Sequence, residues 1–306
     1  MSSALQAEAV QEGKLHAILW RQFTKPRPFP AGTKLDGQTC IVTGSNGGVG
    51  FEACRQLLAL HPSHLIMAVR SEAKGEAAAK QLRDQFPDKS ISISVWTLDM
   101  ASYDSIQKFV ARCATLPRID VVLLNAAGVI TTFTPNPDTG HESTFQVVYL
   151  STALLGILLI PVLKSSNARN KSARPPVLSF VGSDLAYSPD FVPKIKSPVL
   201  PQFDDKDTFD YMGAYATGKM FLLFLVSRLA ELVDPADVLI NVSNPGLTRH
   251  ADLDRDTSVF FKVVMGFFRL VIGRSLPVAA SIYLDATLTR GSEAHGSFIS
   301  DWAIKP

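Results

Sequence analysis

The stretch TGSNGGVG, residues 43–50, follows a short β-branched run and opens a helical segment. Its glycines let the backbone turn sharply and let a ligand approach closely. Unpaired N–H groups at the start of the following helix attract an anion such as a pyrophosphate. The cradle so formed comprises Gly44, Ser45, Asn46, Gly48 and Val49. A glycine-rich turn also serves as a purely structural loop, so the flanking sequence decides between the two.

Around this turn the chain alternates. Short apolar runs at 39–43, 64–70, 93–99, 120–125, 176–183 and 238–244 read as strands. Helical stretches lie between them at 49–60, 72–86, 102–115, 141–165 and 213–233. Strands that are apolar throughout belong to a sheet buried on both faces. The expectation is a doubly wound, parallel α/β sheet with helices on both faces, a Rossmann-type single domain, whose ligands bind beyond the carboxyl ends of the strands.

The pattern assigns residues 37–306 to that domain and residues 1–36 to an N-terminal arm lying on its surface, punctuated by KPRPFPAG at 25–32. Two segments break the rhythm and are expected to be substrate loops, 185–211 and 250–274. The apolar part of the second, SVFFKVVMGFFRLVIGR at 258–274, reads first as a lid over a substrate. A membrane-surface helix, with Lys262, Arg269 and Arg274 meeting headgroups, is the less favoured reading.

Composition narrows the class. With 46% hydrophobic and 19% charged residues, the chain of 306 reads as an ordinary globular protein. A formal net charge of +2 offers no reason to expect nucleic acid as a partner. Three cysteines without metal-type spacing suit a reducing compartment, with no metal and no disulfide framework. The first twenty residues lack a charged stretch followed by an apolar run. The most apolar stretch, TALLGILLIPVL at 152–163, is expected to be too short for a membrane span, so a soluble, cytoplasmic protein is expected.

Two strand ends bear on the ligand. Arg70 ends the second strand, where a carboxylate would bond a ribose 2′-hydroxyl and a guanidinium would instead pair with a 2′-phosphate; this favours NADP over NAD. The plainer reading of Arg70 is a solvated strand-end charge. Asp99 ends the third strand in TLDM, placed either to accept a hydrogen bond from an adenine or to cap the next helix.

TGSNGGVG, LNAAG (124–128), Ser183, YATGK (215–219) and NPG (244–246) occur in the order and rough spacing of the short-chain dehydrogenase/reductases. The chain resembles that family over about residues 36–303. Three details resemble its retinol-dehydrogenase-like and fungal reductase branch: AVRSEAKGEAAAKQL, the long gap before the tyrosine, and the late GRSLPVAASIYLDA to GSFISD segment. The resemblance implies that Tyr215 is the general acid or base, that Lys219 binds the nicotinamide ribose and lowers the tyrosine pKa, and that Ser183 holds the substrate oxygen. It adds Met100, Asn125, Gly128, Pro245, Gly246 and Thr248 to the cofactor contacts, together with Tyr215 and Lys219. The physics agrees. A phenol titrates near 10, a nearby ammonium favours its anion, and a spacing of four places both side chains on one helix face. Tyr211 is the weaker rival to Tyr215, and Ser179 to Ser183.

One position departs from the pattern. The family usually carries an asparagine in the helix after the fourth strand, where it helps hold a proton-relaying water. In FQVVYLSTALL the matching position is Val148, which has no side-chain donor or acceptor. PGLTRH likewise puts His250 where the family has a threonine at the nicotinamide, with Thr248 two residues earlier. The implied function is NADP(H)-dependent hydride transfer to or from a carbonyl or secondary alcohol of a lipophilic small molecule, in a fungal secondary-metabolic setting. Two alternatives stand beside it: a non-redox isomerase or cyclase that keeps the fold, and a nucleotide-sensing binding protein. Substrate identity, reaction direction and oligomeric state stay open.

Overall fold

The β-branched runs form one eight-stranded sheet. A computed structural model describes residues 11–170, 174–187, 198–249, 266 and 269–306, the side chain of Leu15 excepted. The strands are β1 (Thr39–Thr43), β2 (His64–Val69), β3 (Ser92–Thr97), β4 (Val121–Leu124), β5 (Val177–Val181), β6 (Leu239–Asn244), β7 (Phe298–Ser300) and β8 (Ala303–Lys305). Their order is β3-β2-β1-β4-β5-β6-β7-β8. All neighbours pair in parallel except the last, an antiparallel β7–β8 hairpin whose turn residues Asp301 and Trp302 have φ of 56°.

Every residue of β1, β4, β5 and β6 is buried, as apolar runs covered on both faces require. The covering helices are α2 (Gly48–Leu58), α3 (Glu72–Gln85) and α7 (Leu276–Leu284) on one side. On the other lie α4 (Tyr103–Ala114), α5 (Ser143–Asn170) and α6 (Tyr211–Leu232). A short helix, α1 (Leu15–Arg21), precedes the sheet. Within the arm, Arg21 and Gln22 are buried against the domain.

Most helix starts carry a side-chain cap. Ser71 accepts from Lys74 N, Ser102 from Ser105 N, Glu142 from Thr144 N and Phe145 N, and Asp210 from Met212 N and Gly213 N. Asp210 starts α6 two residues before the expected position. α1, α2 and α7 have none; the N-cap of α2 is Gly47, with no acidic residue in its first turn.

α5 overturns the expectation that its apolar segment is too short to span a membrane. The helix has 28 residues and a window of mean hydropathy 2.1, but that window is half buried in the protein. Leu155, Leu159 and Leu163 are fully buried in the core against the sheet. A core helix passes the same test of length and composition. Its first turns include a π-helical stretch, Gln146–Leu150.

Gly156 of α5 lies directly on Phe180 of β5: a Cβ there would stand 2.3 Å from the ring. Gly156→Val must displace Phe180, and overpacking of this kind costs about 1–3 kcal/mol. Urea unfolding of the two proteins measures the difference; equal midpoints would show that the ring yields freely.

Candidate active site

β1 has β2 on one side and β4 on the other, so the chain reverses direction across the sheet at their carboxyl ends. Such a switch point opens a crevice for a ligand. The 43–50 turn fills its floor. Gly44 and Gly48 have φ of +64° and +57°, values that L side chains avoid. A Cβ on Gly44 would stand 2.8 Å from Ala126 Cα, so the turn packs directly on the end of β4.

Asn125 fixes that packing. Its amide donates to the carbonyls of Thr43 (2.9 Å) and Gly44 (3.2 Å), and its oxygen accepts from the Tyr283 hydroxyl at 3.2 Å. The Ala126 N–H donates to Thr43 Oγ1 at 2.9 Å. Asn125 therefore acts as a strut behind the turn, with both ends of its amide engaged by protein.

Ser183 lies just beyond β5, and Tyr215 and Lys219 lie one turn apart in α6. The structure brings all three together. Ser183 lies beside the Tyr215 hydroxyl and favours its ionised form. Lys219 Nζ donates to the Val181 carbonyl at 2.6 Å and stands 5.7 Å from the centre of the Tyr215 ring. Tyr215 is 7% and Lys219 3% exposed. Ser179, the rival serine, is fully buried and bonds Ser243 at 3.0 Å, away from the tyrosine.

One expectation about this group fails. Lys219 was expected to draw the Tyr215 pKa down. Instead burial pushes it above its ordinary value, the neighbouring Ser183 hydroxyl works against the rise, and the Asp184 charge adds to it. The reason is geometric: the ammonium engages a main-chain carbonyl and the ring, while the hydroxyl faces the serine loop. Burial also lowers Lys219 to about 8.

The residues suit a dinucleotide. The first turn of α2 has no capping side chain, and nothing lies within 4 Å of where a Cβ on Gly47 or Gly48 would stand. This leaves N–H groups facing open space, which suits a pyrophosphate. Arg70 is exposed at the end of β2. Lys74, not singled out from the sequence, lines a cavity with Asn46 and Gly47 and adds a second cation beside the turn. Lys219 has three N–H donors, and one is taken by Val181.

The remaining candidates differ in placement. Ser45 is fully buried beneath the turn, whereas Asn46 and Gly48 are exposed on it and Val49 is half-buried. The Asp99 carboxylate accepts from Ala101 N at 3.0 Å, and the cap of α4 is Ser102. Met100 is buried in the core, and Gly128 is half-buried past β4. Pro245 and Gly246 follow β6, with Gly246 at φ +73° and its N–H donating to Asn244 Oδ1 at 3.1 Å. Thr248 is buried and bridges to Arg274. His250, the stretch 188–197 of the first loop and most of the second loop lie outside the described residues.

Val148 is 1% exposed within the π-helical stretch. Its Cγ1 stands 3.0 Å from where a Cβ on Gly218 would be. A methyl group thus packs on the catalytic helix beside Lys219. Asp184 and Tyr283 were missed from the sequence. Asp184 directly follows Ser183, a signal that was available. Tyr283 lies on α7, and nothing in its local pattern marks it as reaching Asn125.

A lysine that titrates at 10.5 when unfolded and about 8 when folded makes unfolding bind a proton between those values. Its contribution is therefore least favourable below pH 8 and improves as pH rises through that window. Lys219→Met removes this slope. Denaturant unfolding of the wild type and the variant across the window should give curves that converge as pH rises; parallel curves would contradict a depressed lysine.

The short chain dehydrogenase family model matches residues 38–169. The chain is 49% identical over 306 residues to Short chain dehydrogenase virL of Hypocrea virens, covering 100% of this chain and 88% of that protein. It is 42% identical over 284 residues to Short chain dehydrogenase/reductase mfmJ of Annulohypoxylon moriforme, covering 92% and 81%. Among solved structures it is similar to a short chain dehydrogenase from Shigella flexneri complexed with NADP, with a TM-score of 0.60, 19% identity and coverage of 89% and 100%. The fold, the ordered motifs and these full-length relatives together show that this chain belongs to the short-chain dehydrogenase/reductase family of oxidoreductases.

Proposed function

We propose that this protein is an NADP(H)-dependent reductase of a carbonyl group on a lipophilic small molecule. The observation that carries the reading is the placement of Ser183 beside the hydroxyl of the buried Tyr215, which burial holds neutral. A neutral phenol is a proton donor, and carbonyl reduction needs one. NADP-bound and NADPH-bound structures among the fold neighbours support the cofactor, as does the exposed Arg70 just past the end of β2.

The bound nicotinamide would supply the hydride. Ser183 orients the carbonyl oxygen, and Tyr215 donates its phenolic proton to that oxygen as charge develops there. The phenolate left behind needs a proton, which Lys219, lowered by burial to about 8, can give it and then recover from water. Its free N–H donors hold the ribose hydroxyls. Gly47, Gly48 and the start of α2 hold the pyrophosphate, and Arg70 with Lys74 the 2′-phosphate.

An aromatic group flanks the catalytic helix and supports an apolar substrate. Phe203 stacks on Phe145 with centroids 3.8 Å apart, and Tyr149 meets Phe221 edge-on at 5.2 Å. The fungal sources of the relatives fit a role in fungal secondary metabolism. Val148 supports a second reading, a non-redox isomerisation or cyclisation, because its methyl groups offer no anchor for a relay water.

Anaerobic incubation with NADPH and a panel of lipophilic ketones tests the proposal. Loss of the reduced-nicotinamide absorbance is expected, with Tyr215→Phe lowering kcat by roughly 10²–10⁴-fold. Product formed without that loss would favour the non-redox reading. Arg70→Ala should weaken NADPH binding by about ten- to a hundredfold while sparing NADH, as the loss of a charged hydrogen-bond partner implies. Equal loss for both cofactors would remove Arg70 from the 2′-phosphate site.

A further inference from the structure

Arg21 closes α1 in the N-terminal arm, yet it is 8% exposed. Its guanidinium lies 3.1 Å from Asp184 and 3.2 Å from Asp301, and it also pairs with Glu12. Arg274 reaches the same centre from the far side. It pairs with Asp301 and donates to the Arg21 carbonyl at 2.6 Å. Two carboxylates, Asp301 buried and Asp184 partly so, and two buried guanidiniums thus join the arm, the loop after β5 and the β7–β8 turn.

Asp184 is the residue after Ser183 and adds its charge to the surroundings of Tyr215. Burial acts against the Asp184 carboxylate, and Arg21 is the foremost group working the other way. An uncompensated buried carboxylate either takes a proton or moves towards water. Either change would carry Ser183 with it, because Ser183 Oγ accepts from the Leu185 N–H at 3.2 Å within the same turn. Gln22, next to Arg21, is packed on the other side of the site. Its amide atoms stand 3.0 and 3.2 Å from where a Cβ on Gly246 would be.

We propose that Arg21 is a positioning residue: by clamping Asp184 against Asp301 it holds Ser183 at the Tyr215 hydroxyl, making the N-terminal arm a working part of the active site. The inference rests on the reading of Ser183 and Tyr215 as the reacting pair. Its structural half, that the arm fixes the loop after β5, stands apart from any reaction.

Two readouts on the full chain separate these. Amide hydrogen exchange of residues 183–187, measured without cofactor, should quicken roughly tenfold or more in Arg21→Gln while α3 and α4 keep wild-type protection. Adding Asp184→Asn to Arg21→Gln should restore protection, because the lone carboxylate is then gone. With NADPH and 9,10-phenanthrenequinone as the carbonyl probe, Arg21→Gln should lower kcat about tenfold or more with little change in KM, and the double variant should recover part of it.

Should Arg21→Gln not fold, Arg21→Lys takes its place. It keeps the charge but loses the fork that reaches both carboxylates, so the 183–187 segment should still exchange faster at an unchanged melting temperature. Wild-type exchange in Arg21→Gln or Arg21→Lys, uniform loosening of the whole chain, or a double variant no better than the single one would each overturn the proposal. A wild type that leaves the quinone unreduced would count against the proposed function, and the exchange result would still decide the role of the arm.

Discussion

A buried ammonium bonded to one strand-end carbonyl holds the active site together. Lys219 Nζ reaches Val181 O, and that contact joins α6 to the strand whose end delivers Ser183. Burial of a cation is unfavourable, so the bond must be short and the remaining donors must find partners. It is short here, at 2.6 Å, and the ammonium also lies 5.7 Å from the centre of the Tyr215 ring. The same burial that lowers the lysine keeps the tyrosine neutral. The protonation states of the site therefore follow from exclusion of water more than from the attraction of one group for the other.

Charge is arranged around this pair at two distances. Lys219 lies beneath the tyrosine ring without a carboxylate partner among the described residues. Behind the serine loop, Asp184, Arg21, Asp301 and Arg274 form a chain of alternating sign, which Glu12 extends from Arg21. Such a set is costly to assemble and costly to break. It ties together segments far apart in the chain at the point where Ser183 must stay in register with α6. The left-handed turn at Asp301 and Trp302 belongs to the same device, since it aims Asp301 at both arginines.

The strands and helices that carry the motifs were legible because each is specified locally. Apolar runs of β-branched residues mark β1 to β6, and glycines mark the turn before α2. The ends were less legible. β7 and β8 have three residues each, too few for a period to show, and α7 was not distinguished from the apolar sequence around it. Within the site, Tyr215, Lys219 and Ser183 could be found from the order of motifs that resembles the family's, and the structure unites them. The direction of the tyrosine shift could not be found, because it depends on which carbonyl the lysine chooses. Nor could the role of Arg21, whose partners Asp184 and Asp301 lie far along the chain. Asn125 shows the same limit in another form: its position was readable, but its hydrogen bonds to Thr43, Gly44 and Tyr283 are set by the packing of three separate elements.

The central claim is that burial keeps Tyr215 a neutral acid in the cofactor-free protein. Carbon-13 labelling of the tyrosine ζ carbons, with Tyr215→Phe to assign the signal, follows its ionisation directly by NMR. The account predicts that the Tyr215 resonance stays that of a phenol past the ordinary value of about 10 and moves only at higher pH. A titration below that value, in the absence of cofactor, would show that the ammonium governs the phenol after all and would contradict the account.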